Sequence, residues 1–284
     1  MVMMRAARRC GVLALVLLLS ACGQLPTPRP AVTILPPTTM PTAILPPTAI
    51  PPTPTAEPLP VRPADTIDLG DGRWIATHSF VEQNLTLSYT LQAQWPSIEG
   101  VVTPQIEQFN LAAHQLVSDT LTGFAKEAPL PLPETTGNFC YVNYRVINAS
   151  NGLLSILFDV SIYTGGAHPN TVHIPLNFDL KTGQALTYAD VFKPGADAVA
   201  TLAAIATDEL TRTDRLMFPE GAEPRPENYQ VWNFDFNGLL ITFDPYQVMP
   251  YAYGPQTVTI PYYELKADLK PASPLADFWN LTKR

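Results

Sequence analysis

The chain has 284 residues, 46% of them hydrophobic, so it has enough apolar side chains to bury an ordinary core. Its net charge of −8 excludes nucleic acid as an expected partner, because binding to phosphates requires a basic surface. The same charge permits a cationic protein partner that is attracted over long range.

The first 22 residues have the organisation of a bacterial export signal. Arg5, Arg8 and Arg9 precede an apolar run at residues 11–20, which is too short to span a bilayer as a helix. The run ends in Leu-Ser-Ala-Cys, which resembles a lipobox. This motif predicts cleavage before Cys22 and a diacylglycerol on its thiol.

We therefore assign residues 1–21 to a lipoprotein signal peptide. We expect the mature chain to be extracytoplasmic, and the lipid on Cys22 to be its only attachment to the bacterial membrane. Because the signal carries three arginines and no acid, its removal takes the net charge from −8 to −11.

Residues 22–64 are rich in proline and threonine, and almost half of the chain's 31 prolines lie there. Proline fixes φ and removes an amide donor, so neither helix nor sheet is expected. A semi-extended stalk on the order of 100 Å, at about 3.1 Å per residue, is the prediction.

The next block, residues 65–135, is predicted to be a small αβ domain. Alternating apolar and polar residues at 85–91 predict a strand that Pro96 ends. Helical spacing then predicts an amphipathic helix of about six turns, with an apolar face formed by Val102, Ile106, Phe109, Ala113, Leu116, Val117, Leu121 and Phe124.

Residues 136–284 are predicted to form a second domain that contains two Asn-Gly hairpins. The patterns predict strands at 139–147, 153–163, 171–180, 231–236, 239–243 and 256–260, and helices at 197–211 and 261–269, with an exposed loop at 218–228. The fold class expected for the whole is α+β, with antiparallel sheets and separate packed helices.

Cys140 is the only cysteine of the predicted folded region, so no disulfide is expected there. It lies in an apolar run, and free cysteine is among the most buried residue types. We expect it to pack in the core.

The sequence contains none of the common hydrolase, phosphate-binding or zinc-protease motifs. His168 and His173, with Asp159 and Asp179 nearby, could approach one another, but nothing in the sequence completes a metal site. No catalytic residue, metal or cofactor is predicted.

Two loops contain the candidate binding residues. Tyr163, Gly165, Gly166 and His168 lie at the end of a predicted strand, where adjacent glycines indicate a tight turn or a loop shaped for a ligand. The second loop carries a cluster of aromatic residues, which suit core packing, interfaces and sugar stacking alike: Tyr246, Tyr251 and Tyr253.

At these residues the chain resembles the extracytoplasmic domain of unknown function that ends the anti-sigma factor RsiV. The segments that carry the resemblance are residues 163–168, 178–183, 188–192, 236–243, 245–246 and 251–254. Residues 80–128 are similar to the companion domain that precedes it, and the pair also occurs in the peptidoglycan deacetylase PdaC.

The resemblance implies an α+β fold and, from RsiV, binding of lysozyme. This chain shows no membrane span with a cytoplasmic sigma-binding segment, and no deacetylase domain is expected after Leu281. A ligand-binding module is what the resemblance carries over.

The leading hypothesis is a surface lipoprotein that binds a cationic muramidase or a peptidoglycan-associated ligand without catalysis. One alternative is an enzyme acting on wall glycans, with His168 and either Asp159 or Asp179. Another is a structural envelope protein.

Overall fold

The computed structural model describes residues 62–128 and 137–281. The predicted signal peptide, Cys22 and almost all of the predicted stalk lie outside these residues. The described part is an α+β structure with mostly antiparallel sheets, which confirms the predicted fold class. None of the helices in it combines the length and apolarity needed to cross a membrane.

Seven strands form a large sheet whose spatial order follows the chain. They are β1 (Ile67–Gly70), β2 (Arg73–Asn84), β3 (Tyr89–Gly100), β4 (Asn138–Ser150), β5 (Leu153–Tyr163), β6 (Asn170–Asp179) and β7 (Gln184–Ala185). All neighbours are antiparallel except β3 and β4, which are parallel.

The parallel pair requires a crossover, and helix α1 (Pro104–Glu127) lies in that connection. The domain boundary predicted at residue 135 falls in the same connection. Because β3 pairs directly with β4, with Leu91 opposite Cys140, the chain on both sides of residue 135 contributes to one sheet.

Helix α1 packs largely as its sequence predicts. The side chain of Thr103 caps it by accepting from the amide of Ile106, and Pro104 occupies the first turn. Six residues of the predicted apolar face are buried against the large sheet, whereas Leu116 is partly buried and Val102 is exposed before the helix begins. Cys140 is fully buried in this core, as predicted, and burial raises the pKa of its thiol to about 11.

A second, three-stranded sheet has the order β10–β9–β8. Its strands are β8 (Trp232–Phe234), β9 (Gly238–Phe243) and β10 (Gln256–Pro261), and the helices are α2 (Tyr188–Val191), α3 (Ala198–Arg212), α4 (Tyr262–Leu265) and α5 (Ala276–Leu281). Short 3-10 helices lie at Pro219–Ala222, Pro226–Tyr229 and Tyr251–Tyr253. These elements surround a second hydrophobic core.

Strand β5 joins the two cores, because Leu153 belongs to the second core and Leu154 to the first. Beside it, buried polar groups link the two sheets. Ser155 Oγ donates to Asn177 Oδ1 at 2.7 Å and accepts from Asn233 Nδ2 at 2.8 Å. Each group has a partner, as burial requires.

The two predicted hairpins are present for different reasons. Asn151 and Gly152 have φ of 57° and 75°, the left-handed pair that a tight two-residue turn needs. At the second hairpin Gly238 is already in β9, and a Cβ there would lie 2.1 Å from the carbonyl oxygen of Ile260. Close backbone approach therefore explains this glycine.

Several predicted elements are wrong or incomplete. Residues 85–88 form the turn between β2 and β3 instead of a strand, and β3 continues through Pro96. The loop at 218–228 is partly buried, since Ala222 lies in the second core. Strand β2 and helix α5 were not predicted.

Candidate functional site

The loop between β5 and β6 meets the loop between β9 and β10 through stacked rings. The rings of His168 and Tyr251 are parallel, with centroids 3.6 Å apart. The Tyr251 hydroxyl donates to the carbonyl of Pro169 at 3.0 Å, and His168 Nε2 lies 3.3 Å from the hydroxyl of Tyr246. We call His168, Tyr246 and Tyr251 the histidine–tyrosine cluster.

Tyr246 has an unusual backbone conformation for this residue type. Its φ is +71°, in the left-handed region that a large side chain rarely adopts. The turn is held by a hydrogen bond from the Tyr246 amide to the carbonyl of Met249, and Val248 and Met249 are buried. Over half of the Tyr246 side chain nevertheless remains exposed, at 54%.

The other predicted binding residues lie around this cluster. Tyr163 donates to the carbonyl of Gly166 at 3.0 Å and stacks on Phe139. Gly165 and Gly166 have φ near 105°, which requires glycine. Tyr253 is 62% exposed at the end of the same 3-10 helix as Tyr251.

An ion-pair network of four residues lies between the two sheets. Asp159 and His173 are directly opposite on β5 and β6, and His173 Nε2 is 3.2 Å from Asp159 Oδ1. The other ring nitrogen, Nδ1, is 2.5 Å from Oδ1 of Asp244, which follows β9. Arg145 completes the network with two hydrogen bonds to Asp159, at 3.0 and 3.1 Å.

The carboxylates keep His173 positively charged. Burial of its side chain, which is 3% exposed, lowers its pKa, but the hydrogen bonds and charges of Asp159 and Asp244 outweigh burial. The pKa of His173 is raised from 6.5 to about 9. Burial raises the pKa of Asp159, but the hydrogen bonds and charges of His173 and Arg145 lower it by more. The pKa of Asp159 is therefore lowered overall.

An imidazolium that donates from both nitrogens has no lone pair with which to bind a metal or accept a proton. The two positive and two negative charges of the network also cancel. The network therefore acts as a tie between the large sheet and the loop after β9, next to the histidine–tyrosine cluster.

The structure does not assemble the residues of the enzyme hypothesis. Asp159 binds Arg145 and His173, while Asp179 accepts from the amide of Lys181 at 2.8 Å. Neither carboxylate is bonded to His168. Within residues 62–128 and 137–281, no group of three or more His, Cys, Asp or Glu is arranged to hold a metal ion.

The sequence did not indicate Asp244 or Arg145. Asp159 and His173 are opposite in the observed register, in which Ile162 pairs with Asn170, and the predicted strand limits of 163 and 171 do not give this register. Asp244 has no signal in the sequence either, since its position depends on how the small sheet packs.

A separate hollow of about 370 Å³ lies between α1 and the β2–β3 hairpin. Phe80, Glu82, Trp95 and His114 line it with other residues of these elements. Trp95 stacks on His78, with centroids 5.6 Å apart, and meets the edge of His114.

Comparison with known families shows which domains the chain contains. Residues 82–171 match the family model described as deacetylase PdaC. Residues 189–263 match the model described as a protein of unknown function, DUF3298. The chain therefore carries the PdaC and DUF3298 domain pair, which confirms the resemblance drawn from the sequence.

Two curated proteins are similar to part of this chain. The peptidoglycan-N-acetylmuramic acid deacetylase PdaC of Bacillus subtilis is 31% identical over 141 residues, which cover 48% of this chain and 30% of that protein. The chain thus spans less than a third of that relative. The immunogenic protein MPT64 of Mycobacterium tuberculosis is 24% identical over 180 residues, 62% of this chain and 74% of that protein.

One solved structure supports the fold, and a second was compared with the chain. A DUF3298 family member from Bacteroides fragilis superposes with a TM-score of 0.55 at 16% identity, covering 73% of this chain and 98% of that chain. A DUF3298 family protein from Pseudomonas aeruginosa gives a TM-score of 0.48 at 18% identity, covering 76% and 96%.

Proposed function

We propose that the chain is an extracytoplasmic lipoprotein, attached to the bacterial membrane through Cys22, that binds a protein or cell-wall ligand without catalysing a reaction. The observation that carries the proposal is the strained backbone of the exposed residue Tyr246. Its side chain is largely exposed although its backbone is held at φ +71° by buried neighbours. Strain of this kind concentrates at ligand-binding sites.

The histidine–tyrosine cluster has the chemistry of a binding surface. Tyrosine offers a flat apolar face with a polar tip and loses little conformational entropy when a ligand covers it. The ion-pair network beside the cluster ties the loop after β9 to the large sheet, so the rings of Tyr246 and Tyr251 are preorganised. Preorganisation reduces the entropy cost of binding.

A cationic muramidase such as lysozyme is the ligand we favour, and a peptidoglycan-associated glycan is the second. The expected charge of −11 after signal cleavage attracts a cationic protein and speeds encounter at low salt. Aromatic rings also stack on sugars. Because stacking does not rely on charge, we expect the binding of a glycan to depend less on salt than the binding of a cationic protein.

A titration of the purified chain with lysozyme at low and moderate salt tests this proposal. We expect binding that weakens with salt, and about tenfold weaker binding for Tyr246→Ala, as for a central interface tyrosine. Tyr263→Ala is the matched control, because Tyr263 is 70% exposed and lies in α4, outside both loops. Lack of binding at either salt would remove lysozyme, and equal effects of the two variants would remove the cluster.

A wall-directed enzyme is the alternative, and the observation in its favour is the identity of 31% with a protein named as a deacetylase. Incubation with peptidoglycan, followed by measurement of released acetate and reducing ends, separates the two. Turnover that His168→Ala abolishes would support the enzyme. Binding without turnover would support the binding module.

A further inference from the structure

Strand β2 has one free edge along most of its length. Strand β3 pairs with it from Arg73 to Asn84, but β1 covers only the first residues, up to Ile75. Among the described residues, no strand lies along the outer edge of residues 76–84. Seven successive residues, 77–83, are exposed.

This edge has few of the features that usually prevent pairing with another strand, since Glu82 is its only acidic residue. Natural edge strands are protected by lysine, proline, bulges or short length. Residues 77–84 contain no lysine, arginine or proline and pair regularly with β3. Instead, Phe80 and Val81 are 39% and 68% exposed.

The edge is complementary to itself in the antiparallel direction. A two-fold axis through Phe80 places Phe80 opposite Phe80 of the second copy. It also places His78 of each copy opposite Glu82 of the other. Opposite residues of an antiparallel pair share a face, so these contacts form on one side of the joined sheet. An aromatic pair at the centre favours cross-strand association, and a polar pair lies on each side of it.

We propose that the free edge of β2 is a strand-addition site that pairs antiparallel with β2 of a second copy, about a two-fold axis at Phe80. Backbone hydrogen bonds then join two large sheets into one continuous sheet. Because the same patch is used on both copies, the assembly closes as a dimer and leaves no free β2 edge for filament growth.

The test is the oligomeric state of the chain from residue 22 onward, with Cys22→Ser, measured by sedimentation equilibrium over a wide concentration range. We expect a dimer. Phe80→Lys places two ammonium groups opposite each other and should raise the dissociation constant by at least about tenfold. The control is Leu111→Lys, which introduces the same charge at an exposed residue of α1 and should leave the dimer unchanged.

A second measurement tests the register and does not depend on the lysine variant. In the proposed dimer the Cβ atoms at position 80 lie within disulfide reach, so Phe80→Cys should give a disulfide-linked dimer under mild oxidation. Leu111→Cys should stay unlinked. A monomer at all concentrations, dissociation equal for the two lysine variants, or no crosslink at position 80 would each overturn the proposal. A monomer whose β2 edge binds an extended segment of another protein would do so as well.

Discussion

Replacing His173 with glutamine tests whether the ion-pair network ties the two sheets together. Glutamine keeps one hydrogen bond at this position but carries no charge. The variant therefore removes the imidazolium between Asp159 and Asp244. The side chain is almost fully buried, so solvent screens this charge little.

The magnitude follows from the pKa of His173. The pKa is about 9 in the folded chain against the ordinary value of 6.5 in the unfolded chain, and each unit of difference equals about 1.4 kcal/mol. The charged histidine thus contributes about 3 kcal/mol to the free energy of unfolding. Because the folded pKa is raised, this stability is complete below pH 6.5 and is lost as pH rises through about 9.

Urea denaturation of the wild type, His173→Gln and His114→Gln across this pH range measures the effect. We expect the difference in stability between wild type and His173→Gln to fall by about 3 kcal/mol from the acidic to the alkaline end of this range. His114, an exposed residue of α1, serves as the control and should give a small, constant difference. A wild-type stability that does not change between pH 6.5 and 9 would refute the reasoning.

Three further predictions concern glycine and cysteine. Gly238→Ala should lower the free energy of unfolding by more than about 2 kcal/mol, because a Cβ would lie 2.1 Å from the Ile260 carbonyl oxygen; equal stability in urea would contradict this. Gly123→Ala, in α1 with nothing within 4 Å of the added Cβ, should instead raise it by up to about 1 kcal/mol. Cys140 should resist alkylation until the chain unfolds, because it is buried and its pKa is raised to about 11. Modification in the native state, located by mass spectrometry, would contradict burial.

The sequence predicts the elements whose signals are local. Most of the buried face of α1 and the left-handed turn at Asn151 each depend on neighbouring residues, and the structure confirms them. Strand β2 gives no such signal, because seven successive exposed residues do not alternate.

For the candidate site too, the sequence indicated some of the residues but not the contacts between them. The rings of His168, Tyr246 and Tyr251 were singled out as residue types in two loops, and the structure brings these three together. Their contact depends on how the small sheet packs on the large one, which local patterns do not determine. Asp244 was missed for the same reason, although it completes the ion-pair network.

Hydrogen–deuterium exchange, with and without saturating lysozyme, tests the central proposal most directly. If the histidine–tyrosine cluster binds the ligand, amides of residues 164–169 and 244–253 should both gain protection, while the exposed residues 77–83 of β2 should exchange as before. Protection that is absent from both loops at saturation would contradict a binding site at the cluster.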